Sequence, residues 1–374
     1  RDPYTPEMIR DIQIGLYGRP LDPHRLGDPV DQRAFPYPAY TDLLFLPLSE
    51  ISFPIIRVAV LLVLIALTFA GVLLWMRAVD SHPGWQWTGV ALLLTMCSYP
   101  ALEAFFAGQI GLLVVFLLAA SIVALQRKRF LLAGVLLAIC TIKPQVIALA
   151  VVYLMLCAFA DWKHRSRFVA GFSATMLLLF GASLLVLPNW IQSWIHTVLA
   201  YRHYTRPPLV TEVLTSPLGS HLAGPATALL TVAAVIVAVA LAWRHRSAEL
   251  DGFEFWLTMS LLLSITTITI LPSQAVYDHL ILIPAILFLV GQRNTFRHAG
   301  PPSRLLFGIG TLVLFWPWMS AFLLIALRPI IPPAIFDATP VFSLPIRTAA
   351  SLPFAVLALL AWTWRLNAKN QAAS

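Results

Sequence analysis

Residues 130–160 read FLLAGVLLAICTIKPQVIALAVVYLMLCAFA, an apolar run broken near its middle by Lys143-Pro144-Gln145. An ammonium group near the centre of a bilayer costs roughly 2.5–3.5 kcal/mol on insertion scales, so a lysine there is expected to face a cavity and to carry function. Its charge suggests an anion as the ligand. Pro144 disfavours helix at the residue before it and suits the first turn of a new helix. The stretch therefore predicts two short helices meeting at Lys143. Two helices of about 15 residues reach roughly 22 Å each at 1.5 Å per residue, less than a hydrocarbon core of about 30 Å. The consequence is a stunted hairpin over 130–160, its tip within or near the outer half of the membrane. A break in helical backbone at that depth is tolerated only beside protein or water.

Around this stretch the chain is apolar almost throughout. Of its 374 residues, 59% are hydrophobic and 11% charged, with a mean hydropathy of +0.81, whereas soluble domains carry about 25% charged residues. The composition predicts an all-α polytopic membrane protein. A formal net charge of +8 does not imply nucleic acid, because the basic residues sit in short loops between apolar stretches and read as topology signals. Cys97, Cys140 and Cys157 fall inside apolar segments without metal-ligand spacing, so neither a disulfide framework nor a metal site is expected.

Further stretches long enough to cross run over 56–76, 87–103, 108–125, 168–187, 222–243, 254–271, 276–291, 304–326 and 347–364. Loops with Arg127-Lys128-Arg129, with Lys163-His164-Arg165 and Arg167, with Arg244-His245-Arg246, and with Arg293, Arg297 and Arg304 are expected in the cytoplasm. Even numbers of crossings must separate them. With the hairpin counted as two, about eleven crossings start outside and end inside, and one more is expected upstream of Arg1, making about twelve. No n-region and h-region begin this numbering, so no signal peptide is expected in it. The chain reads as one membrane-embedded domain, 1–374, with 1–53 an extracytoplasmic loop bearing a surface helix and 188–221 a second outer loop.

Function is expected where the outer segments meet. Thr5-Pro6-Glu7 is an N-cap, a proline at the first helical position and an acid in the first turn. Ile9, Ile12 and Leu16 then share a face suited to a membrane surface. Asp2 precedes this helix, placed to act as a general base or simply as a solvated loop acid. Phe35-Pro36-Tyr37-Pro38-Ala39-Tyr40 and the short apolar Leu43–Leu48 suit an interfacial turn. Glu103 and Gly108-Gln109 close one span and open the next, where Gln109 can bond a sugar or phosphate oxygen or cap a helix. Arg202, Tyr204 and Arg206 offer bidentate phosphate contacts and sugar-stacking faces, and equally suit lipid head groups. Asp278 and His279 enter the membrane together, a costly placement without a task, although a satisfied structural histidine also fits.

In order and spacing these segments resemble family 87 of the glycosyltransferases, within the GT-C superfamily. The resemblance is carried by Asp2 before Tyr17-Gly18-Arg19-Pro20, Phe35-Pro36-Tyr37-Pro38, Gly108-Gln109-Ile110-Gly111-Leu112-Leu113, Leu132-Ala133-Gly134 with Lys143-Pro144-Gln145, and Leu271-Pro272-Ser273 with Asp278-His279. It implies a GT-C-like bundle in the plasma (inner) membrane that moves a hexose, often mannose, from a polyprenyl-phosphate donor to a lipid or glycan acceptor. The active site would face away from the cytoplasm, with no cofactor and no metal requirement. Asp2 matches the expected base, and His279 matches a family histidine and is its rival. Two departures stand out: the acid lies in Arg1-Asp2-Pro3-Tyr4 rather than a glycine-rich acidic loop, and Gln109 precedes Ile-Gly rather than Ile-Asn.

The chemistry of inverting transfer agrees with that set. A base removes the acceptor hydroxyl's proton and a cation stabilises the departing lipid phosphate. Lys143, with Gln145, Gln109, Arg202, Tyr204, Arg206 and Asp278, makes up the expected substrate-binding set, and membrane lipids are the remaining partners. A transporter or flippase for a lipid-linked or anionic substrate would also explain short helices and intramembrane charges. Against it, the polar positions gather on one side and no internal repeat is visible. A non-catalytic scaffold would tolerate alanine at Asp2 and Lys143.

Overall fold

The described elements are all helical, apart from one isolated bridge between Leu209 and Pro272. The structure, a computed structural model, describes every residue except 1, 23, 26–27, 30, 49, 80–83, 206–207, 334–342 and 374, and leaves aside the side chains of 203–205, 343, 370 and 372–373. In chain order the α-helices are α1 (Pro6–Tyr17), α2 (Ala39–Phe45), α3 (Phe53–Ala78), α4 (Trp85–Met96), α5 (Tyr99–Phe106), α6 (Gly111–Gln126), α7 (Phe130–Cys140), α8 (Pro144–Ala160) and α9 (Trp162–Val186). They continue as α10 (Trp190–Thr205), α11 (Val210–Thr215), α12 (Ser220–Arg244), α13 (Phe253–Thr269), α14 (Ile283–Gly291), α15 (Arg293–His298), α16 (Pro301–Leu327), α17 (Ser343–Arg347) and α18 (Ser351–Ala373).

Two classes of apolar helix divide the work. By length and composition, α3, α9, α12, α16 and the segment Leu344–Lys369 can cross a membrane, and a sixth crossing appears if the bent pair α4 and α5 is one span. The eleven crossings expected from the sequence are therefore not confirmed. The shortfall has a physical reason: α6, α7, α8, α13 and Val276–Gly291 are apolar but run only 10–17 residues. Composition shows that a segment is buried from water without saying whether lipid or protein buries it. Here protein does. Every residue of α13 from Phe255 to Thr269 is buried, and α6 is buried over most of its length, the all-round burial of an inner helix. The long helices are mostly covered by nothing within the chain: only 17% of the apolar windows of α9 and α12 is buried.

The predicted break is present, though α7 packs on α6 and α9, and α8 on α13, rather than on each other. Helix α7 ends at Cys140, Thr141 and Ile142 form a turn, and α8 starts at Pro144 with Lys143 as its N-cap. Helix α7 lies so close to α9 that a Cβ added at Gly134 would meet the Phe168 carbonyl, and one at Gly171 would meet that of Leu131. Small residues of this kind let apolar helices approach by backbone contact. The tip is held from outside the hairpin: the Tyr40 hydroxyl donates to the Thr141 carbonyl (2.8 Å), and Thr41 Oγ1 donates to that of Ile142 (3.4 Å). The Phe35–Tyr40 turn thus leads into the anchor of the tip, α2.

The stretch expected as one span over 87–103 is broken. Ser98 caps α5 by accepting from the Ala101 N–H (3.3 Å), Pro100 occupies its first turn, and α4 and α5 meet at 53°. A serine cap followed by proline favours a new start over continuation. The expected N-cap of α1 is also present, with Thr5 Oγ1 accepting from the Met8 N–H (3.3 Å). The 188–221 segment is largely helical, containing α10 and α11.

Candidate active site

Lys143 and Asp278 meet at the hairpin tip. The ammonium Nζ lies 2.5 Å from Asp278 Oδ1, with 4% of each residue exposed. Asp278 sits in a 3-10 turn, Val276–Leu282, that packs against α5, α6 and α13. Removing one partner of such a pair leaves an uncompensated buried charge, at a cost of about 3–5 kcal/mol. The Tyr277 ring covers another side of the ammonium, 4.9 Å from ring centroid to Nζ, a cation–π arrangement. Two helix N-termini converge here as well. Lys143 caps α8, and Gly111 opens α6, where an added Cβ would stand 2.9 Å from Asp278 Oδ1 and 3.6 Å from Lys143 Nζ. The positive ends of both helices therefore point at the place where the pair holds its negative charge.

The 1–53 segment reaches the electrostatic field of this pair. The Tyr4 hydroxyl donates to the Tyr37 carbonyl (2.7 Å), and Tyr4, Phe35 and Tyr37 form a chain of tilted and edge-on rings. Tyr37 lies in the field of Asp278. Burial first, and then that carboxylate, push the Tyr37 phenol well above its ordinary range, so it stays a donor. The Trp194 indole N–H on α10 donates to the Pro36 carbonyl (3.1 Å), tying the same turn to the 188–221 segment.

Three further polar groups on the elements that carry or adjoin the pair have buried atoms. His279 is 3% exposed, and its Nδ1 is buried without a hydrogen-bond partner among the described residues. The same holds for Glu103 Oε2 and Gln109 Oε1. An unsatisfied buried polar atom costs about 1–3 kcal/mol. Glu103 lies within electrostatic range of Asp278 and Tyr277. Gln109 folds back through its N–H to the Ala104 carbonyl (2.9 Å), helped by Gly108 at φ +60°, a conformation glycine adopts without cost.

The other expected residues are placed as follows. Asp2 is half-buried, its Oδ1 accepting from the Tyr4 N–H (2.9 Å), and Tyr4 in turn bonds Tyr37, which lies in the field of Asp278. Gln145 is half-buried in the first turn of α8. Arg202 is exposed and stands 3.7 Å from Glu212, so its recorded ion pair is with α11 and not with a site residue. Arg206 and the side chain of Tyr204 lie outside the described residues. Among the described residues, no group of three or more His, Cys, Asp or Glu side chains is gathered as a metal site would need. Two surface concavities, one along Pro188–His196 and one between Ser247–Glu254 and Asn367, are lined by none of the site residues.

Sequence reasoning singled out Lys143, Asp278 and His279 but not their pairing. Tyr37, Tyr277 and Gly111 escaped it as site residues. A glycine two positions after Gln109 was the available signal for Gly111. Its meaning depends on which residues 135 positions apart come together.

The profile of glycosyltransferase family 87 matches residues 35–272, more than half of the chain. No curated protein and no solved structure matches it. The match includes Gln109, Lys143 and Gln145. It begins after Asp2 and ends before Asp278 and His279.

Proposed function

The chain belongs to glycosyltransferase family 87, and from that membership we propose an inverting hexosyltransferase that uses a polyprenyl-phosphate sugar, with mannose a candidate hexose. Membership and the apolar helices together make it a membrane glycosyltransferase. On our reading the acceptor is a lipid or glycan, the membrane is the plasma membrane, and the site opens away from the cytoplasm.

The observation that carries the reading is the buried Lys143 ammonium at the start of α8, 2.5 Å from Asp278. Lysine has three N–H donors and no acceptor. With one donor on Asp278, the ammonium keeps others for an oxygen of the donor's phosphate, where the N-termini of α6 and α8 add positive potential. In the reaction the acceptor oxygen bonds to the anomeric carbon while the bond from that carbon to the phosphate oxygen breaks. The lipid phosphate leaves with the electron pair and with added negative charge, which Lys143 stabilises. A fixed charge in a site closed to water is worth far more than one in solvent. The base takes the acceptor's proton, and we assign that role to Asp2, which remains partly accessible and bonds Tyr4, itself bonded to Tyr37 in the field of Asp278. His279 is the second candidate, favoured by its buried, unpartnered Nδ1 and its place next to Asp278 in the chain.

Transfer from radiolabelled polyprenyl-phosphate hexoses into a lipid extract tests this, comparing the parent with Asp2→Asn, His279→Ala and Lys143→Ala. Lys143→Ala is expected to lose on the order of 10²–10³-fold in rate, as when a group stabilising transition-state charge is removed. Loss in Asp2→Asn with activity kept in His279→Ala supports Asp2. The reverse pattern moves the base to His279, and full activity in all three removes the site altogether.

A further inference from the structure

Seven buried side-chain nitrogen and oxygen atoms among the described residues have no hydrogen-bond partner, and two of them are side-chain oxygens of acceptor type, Gln109 Oε1 and, in the ionised carboxylate, Glu103 Oε2. The others belong to Trp75, Trp190, Trp256, Ser260 and His279, which donate or can do either. Glu103 lies in the last turns of α5, and Gln109 lies in the short link from α5 to α6. The Ala107 N–H bonds the Glu103 carbonyl (2.9 Å) and the Gln109 N–H bonds that of Ala104 (2.9 Å), folding residues 103–109 on themselves. This segment is fixed to the site at both ends. Glu103 lies in the field of Asp278 and Tyr277, and Gly111, two residues past Gln109, abuts Asp278 and Lys143.

Buried polar groups are normally satisfied, so two orphan acceptors on one short segment that packs at the site point to a ligand that supplies donors. A phosphate supplies none, and a carboxylate would repel it. The hydroxyls of a hexose supply several. We propose that Glu103 and Gln109 form a sugar subsite beside the Lys143–Asp278 pair, each accepting a hydrogen bond from a hydroxyl of the donor's hexose. The subsite rests on the reading of the protein as dependent on a polyprenyl-phosphate sugar, and it divides that donor: phosphate at Lys143, sugar at the segment from Glu103 to Gln109. A site built to bond a hydroxyl discriminates strongly against an analogue lacking it, because its buried acceptors are then left unpaired.

The test is binding of two lipids to the full chain in nanodiscs: undecaprenyl phosphate, and undecaprenyl phosphate carrying mannose or glucose. Glu103→Gln and Gln109→Ala are each expected to weaken the sugar-bearing lipid by about tenfold or more and to leave the sugar-free lipid unchanged, while Lys143→Ala weakens both. Because a variant can fail by misfolding, the second arm uses the unaltered protein with donors lacking one ring hydroxyl at a time. Two of these deoxy donors should bind about tenfold or more weakly. Equal binding of the two lipids by the unaltered protein, or deoxy donors all as tight as the parent, overturns the subsite while leaving the phosphate site standing, and means that water alone serves these acceptors. Binding of neither lipid sinks the subsite and the proposed function together.

Discussion

At the residue scale, Gly111 sets the tolerance of the site. A methyl group there would stand 2.9 Å from Asp278 Oδ1, closer than a side-chain carbon normally sits, so the carboxylate would have to move away from Lys143. Gly111→Ala is expected to cut transfer at least tenfold while changing unfolding stability by only about 1–3 kcal/mol, the usual cost of an overpacked core; thermal unfolding and rate assays on the same preparation check both. The pair itself invites a double-mutant cycle read by denaturant unfolding. Lys143→Met or Asp278→Leu alone should cost about 3–5 kcal/mol, and the double change much less than the sum. Additive losses would show that the two charges are not coupled. These residues differ in how readily the sequence disclosed them. A lone lysine in an apolar run and an adjacent Asp-His at membrane depth are costly enough to be noticed singly. That Lys143 reaches Asp278, or that Gly111 leaves room for both, depends on packing between segments far apart in the chain, and no local pattern records it.

At the scale of elements, the break at Lys143 was the most legible part of the fold and the broken span the least. Proline after lysine in an apolar run announces a chain break and a restart, and α7 and α8 follow it. The break between α4 and α5 carries the same chemistry in Ser98 and Pro100, but the surrounding apolar residues run on without a charge to mark it. The hairpin tip depends on α2. In Tyr40→Phe the Thr141 carbonyl and hydroxyl both lose the buried hydrogen bond of the phenol. The expected cost is about 1–3 kcal/mol in unfolding stability, with a larger proportional loss of transfer as the Lys143 cap loosens. Activity intact at reduced stability would mean that α2 supports the fold without positioning the site.

On the scale of the whole molecule, the short helices α6 and α13 are enclosed and α7 and α8 are buried on one side, while longer apolar helices leave most of their length unburied. This division explains why counting apolar stretches gave eleven crossings when five or six helices meet the length required. It also explains why the charged pair can persist, since the core around it is protein rather than lipid. Family membership then assigns a glycosyl transfer to the bundle, and Glu103 with Gln109, the Lys143 tip and the Val276–Leu282 turn bring buried charged and amide groups into its core. The polyprenyl-phosphate donor proposed above would place its lipid against the exposed apolar helices. The most direct measurement is sugar transfer by the purified full chain in nanodiscs, offered in parallel a radiolabelled polyprenyl-phosphate hexose and the corresponding nucleotide sugar with a lipid extract as acceptor. The account predicts label in the extract from the lipid-linked donor and none from the nucleotide sugar, with the signal abolished by Lys143→Ala. Transfer from the nucleotide sugar, or transfer from the lipid donor that survives Lys143→Ala undiminished, would contradict it.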